Sequence, residues 1–363
     1  MKKVFPILLA PTLLLADTDC NYPFGVNLPS ISRETCNWGA HFDFLYFQIS
    51  EDENPFAYVI TNNSNAKSPT TSGTFSLTTK EYAYDYHAGF RLGIDAGLPF
   101  DGWNVSLDWT HYLHQNKGSV SATGDQVAFS SYLNIGFFTP QDNDVLYSDS
   151  FVDSSLRTQL EVLDLVLNRQ FYVGHQVTFC PYGGIRAFIL KQKVEASNTI
   201  HGAPLGLAFN TSTTNLKAST DFKGVGLVGG FFSTWDFLCQ CNLYTDMKCS
   251  IFYGKSRSTL QGQLTNTGLE SGQNLTFINA HFSHDLNTVK YAFDFALGLQ
   301  WKSSNLANGS VVCLRAGWEE HLYFNQNTLM NLSEDQMFVG GSYKKPNSNI
   351  AFQGLVLSAT FNH

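Results

Sequence analysis

Residues 86–114, YHAGFRLGIDAGLPFDGWNVSLDWTHYLH, restrict the fold of this chain more than any other stretch. Ala88, Phe90, Leu92, Ile94, Ala96 and Leu98 alternate with His87, Gly89, Arg91, Gly93, Asp95 and Gly97. Strict period-two alternation is what a strand with one apolar and one polar face produces. Pro99, Phe100, Asp101 and Gly102 interrupt the run with turn-forming residues. Beyond them Trp103, Val105, Leu107 and Trp109 oppose Asn104, Ser106, Asp108 and Thr110. Two folds accommodate such a hairpin. In a soluble sandwich the apolar face meets a second sheet; in an outer-membrane barrel it meets lipid.

The rest of the chain repeats the pattern. A first strand occupies 38–50 and is expected to continue through 56–60 beyond the bilayer. Hairpins follow at 156–167 with 177–191, at 222–231 with 239–253, and at 289–301 with 312–321; a closing strand runs over 355–361. Leu163, Leu165 and Leu167 fit a lipid face, whereas Leu160 and Val162 fall out of phase, which predicts a β-bulge. Short connections near 99–102, 171–176, 233–236 and 302–309 alternate with long polar ones at 61–79, 115–154, 192–220, 254–286 and 325–349. Short turns on one side and long loops on the other belong to a transmembrane barrel. Structureless loops of that length are unusual in a compact soluble domain.

Composition agrees. Charged residues make up 14% of the chain and aromatics another 14%, which suits strands with a lipid face. After the N-terminus no run of about 18 apolar residues occurs, so α-helical spans are excluded. Lys2, Lys3, the apolar stretch 4–15 and Ala16 read as an export signal over 1–16. Removing it takes two lysines and moves the formal charge from −8 to −10, without the basic footprint that nucleic-acid binding needs. Seven cysteines, an odd number in an exported chain, leave at least one free or paired between molecules. The expected fold is therefore all-β: a transmembrane antiparallel up-and-down barrel over 38–363 with about 10 strands and room for 12–16. A periplasmic N-terminal segment over 17–37 precedes it.

Several stretches resemble the major outer membrane protein-like porins of chlamydia-related and Legionella-type bacteria. They are GFRLGIDAGLPFDGWNVSLD (89–108), DLVLNRQFYVGHQVTF (164–179), PYGGIRA (181–187), FDFALGLQW (293–301), GWEEHLYFNQN (317–327) and QGLVLSATF (353–361). The resemblance implies an abundant, pore-forming barrel of the bacterial cell outer membrane. It also implies disulfide cross-linking in the envelope, for which Cys20, Cys36 and Cys241 are candidates. Such barrels end in a strand with a terminal Phe; here Asn362 and His363 follow Phe361.

On the barrel reading, Arg91, Asp95, Asp108, Arg186, Asp294, Arg315, Glu319 and His321 face the lumen. There they either set ion preference in a water-filled pore or pair with one another and fill a narrow bore. Residues 115–154, with Asp142, Asp144, Asp149 and Asp153, are expected as the longest external loop. Tyr82, Tyr84, Tyr86, Trp103, Trp235 and Trp301 are expected as an aromatic girdle at the lipid–water boundary. His111 and His114 with Asp108, and His281 and His284 with Asp285, are the positions around which a Ser–His–Asp group would have to form. Histidines three apart on a strand point to opposite faces, which argues against shared metal binding, and histidines near a tyrosine-rich barrel rim are more often plain hydrogen-bonding residues than catalytic ones. Cys239 and Cys241 lack the second pair that a metal site needs. The expected function is passive diffusion of small hydrophilic solutes or ions by a surface-exposed envelope component, with no cofactor. A closed structural or adhesive barrel and an outer-membrane hydrolase are the alternatives. Expected partners are outer-membrane lipid, small hydrophilic solutes, and either further copies of the chain or disulfide-linked envelope proteins; nucleic acid is not among them.

Overall fold

The structure is a computed structural model that describes residues 38–51, 54–62, 75–99, 102–124, 126–132, 147–173, 176–202, 211–238, 240–267, 275–303, 310–327, 329, 331–332, 343–344 and 348–363. The expected export signal and the 17–37 segment lie outside them, as do Cys20, Cys36, Cys239, Asp142 and Asp144. The strands are β1 (Trp38–Glu51), β2 (Pro55–Asn62), β3 (Phe75–Glu81), β4 (Tyr86–Gly97), β5 (Trp103–Thr123), β6 (Gln126–Ser130), β7 (Tyr147–Arg169) and β8 (Phe171–Val173). They continue with β9 (Val177–Gly202), β10 (Thr211–Asp236), β11 (Cys241–Thr267), β12 (Leu275–Lys302), β13 (Val311–Asn327), β14 (Asn331–Leu332), β15 (Tyr343–Lys344) and β16 (Ser348–Asn362).

Ten of these close into one antiparallel barrel in the order β10-β11-β12-β13-β16-β1-β4-β5-β7-β9, with β9 pairing back to β10. Closure removes every sheet edge, which is what lets a sheet cross lipid. The first and last described residues meet at one end, where Trp38 N–H donates to the His363 carbonyl and His363 N–H to the Trp38 carbonyl. The short turns lie at this same end, the side that faces the periplasm in outer-membrane barrels. The first of them has Gly102 at φ 65°, a conformation that favours glycine, and Leu98 N–H donating to the Trp103 carbonyl at 2.8 Å.

The outward rows carry the apolar side chains that the alternation singles out. Phe42, Phe44 and Tyr46, Leu163 and Leu165, Val225 and Leu227, Leu297 and Leu299, and Leu355 and Leu357 all stand exposed. Above this band the outward row turns polar on most strands, at Gln48, Glu161, Lys191, Lys223, Lys255 and Gln353 for example.

The walls do not stop there. At about 3.4 Å per residue and a tilt near 45°, 27-residue β11 climbs on the order of 65 Å, against an apolar band about 25 Å tall. Most of residues 115–154, 192–220 and 254–286, expected as loops, are therefore strand: β5 runs to Thr123, β9 to Gly202 and β11 to Thr267. The reason is an inversion of phase. Above the bilayer the outward residues are Ser, Thr, Lys and Glu, while Leu156, Val194, Ala196, Leu216, Ala218 and Leu260 are buried inside. Asp149 and Asp153 accordingly stand on the outer wall of β7. No bulge interrupts Leu160 and Val162, which stay in unbroken register with β5 and β9 and point into the barrel. They looked out of phase because the interior at that height is itself apolar.

Residues 56–60 do not extend β1. They belong to β2, the centre of an inner sheet ordered β3-β2-β6. Phe56, Ala57, Val59, Ala128 and Tyr132 of this sheet region pack against Val152, Leu156, Val194 and Leu260 of the walls. Tyr82 is fixed in the same core, its hydroxyl 2.6 Å from Ser154 Oγ and 3.3 Å from Tyr132 Oη. Tyr82→Phe is expected to lower the unfolding free energy by about 1 kcal/mol, read as a shift of the urea midpoint in lipid vesicles.

Candidate functional site: the charged belt across the bore

Inside the membrane band, most of the barrel strands place charged or titratable residues on the inner face between the lipid-facing apolar ones, whereas the inner face of β16 carries none. All eight residues expected at the lumen stand on the inner face. Five of them join with two further acids into one continuous chain of contacts. Asp164 accepts two hydrogen bonds from Arg186, at 2.7 and 2.8 Å. Arg186 Nη1 also donates to Asp294 at 2.7 Å and to Ser250 at 3.1 Å. Asp294 meets His321 Nδ1 at 3.0 Å, and His321 Nε2 meets Glu319 at 3.0 Å. Glu319 takes two hydrogen bonds from Arg91, at 2.8 and 3.2 Å, and Arg91 ends the chain on Asp43 at 3.0 Å.

The path of this chain matters more than its length. Around the barrel β9 and β12 are three strands apart, as are β13 and β4. The Arg186–Asp294 and Arg91–Glu319 pairs therefore reach across the bore and do not merely run along the wall. Side chains of the chain are at most 12% exposed. Ions withdrawn from water to this degree persist only when paired and hydrogen-bonded, and a connected network meets that condition better than isolated pairs.

Nearer the periplasmic end a second group forms. His41 lies 3.1 Å from Asp108 and 3.7 Å from Asp95. It reaches Asp108 across β4 because Gly93 stands between them in register; a methyl there would overlap both side chains. Arg315 lies apart from the chain, 5.2 Å from the Phe232 ring centroid and 6.0 Å from that of Tyr244. Lys248 pairs with Asp246 at 3.5 Å.

Toward the outer end an aromatic layer covers the belt. Phe188 of β9 lies 4.8 Å from Tyr323 of β13, four strands away around the barrel, and 4.9 Å from Phe252. Tyr112, Phe222, Phe352, Leu160 and Leu190 complete the layer. Above it, just beyond the apolar band, Glu51 accepts hydrogen bonds from Asn54 at 2.6 Å and from Gln192 at 2.7 Å. Burial pushes its carboxyl up to about 7, against the opposing pull of those two donors.

Sequence reasoning missed Asp43, Asp164, His41, Asp246 and Lys248. Asp164 was legible from Leu163 and Leu165, which put it inward once the supposed bulge is discarded. The same alternation puts His41 and Asp43 opposite Phe42, Phe44 and Tyr46, and Asp246 and Lys248 opposite Met247, but nothing local marks which of them pair.

The girdle residues divide. Trp235 and Trp301 are exposed on the outer face at the periplasmic edge, and Trp103 is half-buried there, with the Arg169 guanidinium 5.8 Å from its ring. Tyr86 stacks on Tyr46 at 5.3 Å near the other edge. Tyr82 and Tyr84 do not belong to that ring. The chain between β3 and β4 follows the inner sheet into the barrel, where Tyr82 is buried and Tyr84 packs on the interior clusters.

The sought catalytic constellation is not assembled. His111 contacts Glu161 at 2.6 Å on the outer face, Asp108 is engaged by His41 inside, and His114 lies edge-on to His87. Asp285 is held by Lys255 and Arg257, with His281 and His284 exposed beside it. Cys241 is a free thiol, half-buried near the periplasmic edge.

Comparison with known proteins adds the following. No curated protein sequence matches the chain. Among solved structures, the Escherichia coli outer membrane protease OmpT is similar at 9% identity and a TM-score of 0.37, with 92% of this chain and 98% of that one covered. A Pseudomonas aeruginosa FadL homologue follows at 8% identity and TM-score 0.29, covering 91% and 90%. The Pseudomonas putida toluene transporter TodX gives 7% identity and TM-score 0.20, covering 90% and 89%. The family model described as "Legionella pneumophila major outer membrane protein precursor" matches residues 30–363, nearly the whole chain. The protein, a closed barrel of the bacterial outer membrane, therefore belongs to the Legionella major outer membrane protein family.

Proposed function

We propose that this protein is a resting-closed outer-membrane barrel, a structural and surface-displaying component of the envelope. The observation that carries this reading is the contact chain from Asp164 to Asp43, which crosses the bore twice at mid-membrane. The aromatic layer and the inner sheet stacked above it add to the reading, since an open aqueous channel would need all three to part. Outer-membrane lipid on the apolar band, with Trp235, Trp301 and Tyr86 at its edges, is the principal partner.

Membership of the major outer membrane protein family favours a second reading, passive diffusion of small hydrophilic solutes through the same barrel. Purified protein in planar bilayers separates the two. The closed reading expects a silent membrane at moderate voltage. Regular stepwise conductance in the unmodified protein would sink it and establish the pore.

A further inference from the structure

The outward face just above the apolar band is not uniform around the barrel. On β7, β9, β10, β11 and β12 it consists of three rows of directly opposed residues. The lowest reads Glu161, Ile189, Lys223, Lys255, Asn287; the next Gln159, Lys191, Asp221, Arg257, Asp285; the highest Arg157, Lys193, Ser219, Thr259, Ser283. One step below lie Leu163, Ala187, Val225, Tyr253 and Val289, all apolar. Six cations and three carboxylates thus stand at the rim, on a chain whose formal net charge is −8.

Two features are costly unless an anion is present. Lys223 faces Lys255 and Lys193 faces Arg157 as directly opposed neighbours, and like charges in that position destabilise a sheet. Of the acids nearby, Asp285 is engaged by Lys255 and Arg257, Glu161 by His111 and Trp109, and Glu195 by Lys193, whereas Asp221 stands in register between Lys191 and Arg257. Among the described residues no carboxylate pairs with Lys191, Lys223 or Arg157. The patch is also one-sided: the described outward positions of β13, β16, β1 and β4 hold Glu320, Gln353 and Gln48 at the rim and no Lys or Arg.

We propose that this face binds the phosphate groups of a phosphorylated glycolipid in the outer leaflet. Height and charge both select it. The cations begin one residue above the last lipid-contacting row, where the phosphates of an outer-leaflet lipid lie, and their ammonium and guanidinium groups match phosphate oxygens. The band beneath receives the acyl chains. The surface works in the same way whether the bore is open or closed.

The test uses the folded full chain in detergent micelles with bisphosphorylated lipid A, lipid A stripped of both phosphates, and phosphatidylglycerol as probes. Lys191→Gln, Lys223→Gln and Lys255→Gln together are expected to weaken lipid A binding about 100-fold, at roughly five-fold per charge. Lys302→Gln, at the opposite end of β12 from the patch, should leave it unchanged. These side chains are exposed, and circular dichroism checks that each variant folds. Unchanged binding in the triple variant, equal loss in Lys302→Gln, or equal affinity for the dephosphorylated lipid overturns the proposal. Phosphatidylglycerol binding as tightly as lipid A overturns the glycolipid assignment.

Discussion

Replacing Arg186 with alanine is expected to cost the folded barrel about 3–5 kcal/mol, the range for breaking a buried ion pair by removing one partner. The guanidinium makes four hydrogen bonds, two to Asp164 and one each to Asp294 and Ser250. Without it, Asp164 has lost both bonds to its counterion at mid-membrane, and Asp294 depends on His321 alone. Arg186→Lys keeps the charge but cannot reproduce the two-pronged contact, so it should recover only part of the loss. Equilibrium urea unfolding of the protein refolded into lipid vesicles gives the measurement. A loss below about 1 kcal/mol for Arg186→Ala would mean that water already solvates the belt, and the packed interior would have to be abandoned. The same variant in planar bilayers asks whether opening one link of the chain admits ions.

The second large effect depends on pH. Glu51 is buried where β1 ends and the inner sheet begins, and burial raises its carboxyl from the ordinary 4.5 to about 7. Below pH 4.5 the group is protonated in both folded and unfolded chains and imposes no penalty. Between 4.5 and 7 the unfolded chain releases its proton freely while the folded one retains it, so stability falls as pH rises. Above 7 the loss is complete and amounts to about 3 kcal/mol. Glu51→Gln removes the titration and should flatten the profile, gaining most at pH 8. Because Asn54 leads directly into β2, hydrogen exchange in β2, β3 and β6 at pH 5 and pH 8 is the sensitive readout. Equal protection at both values, or an unchanged profile in Glu51→Gln, would show that Glu51 is hydrated.

The lipid-facing rows were readable without coordinates, from Phe90, Leu92 and Ile94 on β4 to Leu355, Leu357 and Phe361 on β16, and with them the ten-strand count. The upper walls were not. Residues such as Leu156, Val194 and Leu260 keep the same period but reverse its sense, and a polar outer row beside an apolar inner one reads as loop when the search is for lipid contact. The inner sheet escaped for a related reason, since Phe56–Ile60 carries no mark that separates a strand leaving the membrane from one folding back into the barrel.

What the sequence determined by itself is which residues touch hydrocarbon, because contact with lipid constrains each side chain singly and leaves its trace at every second position. Which inward charges meet across the bore is a property of pairs drawn from strands three apart around the circumference, as Arg186 with Asp294 and Arg91 with Glu319. Only closure of the barrel in one register brings such pairs within reach, so the tertiary structure alone turned a row of lumen charges into a belt across the bore.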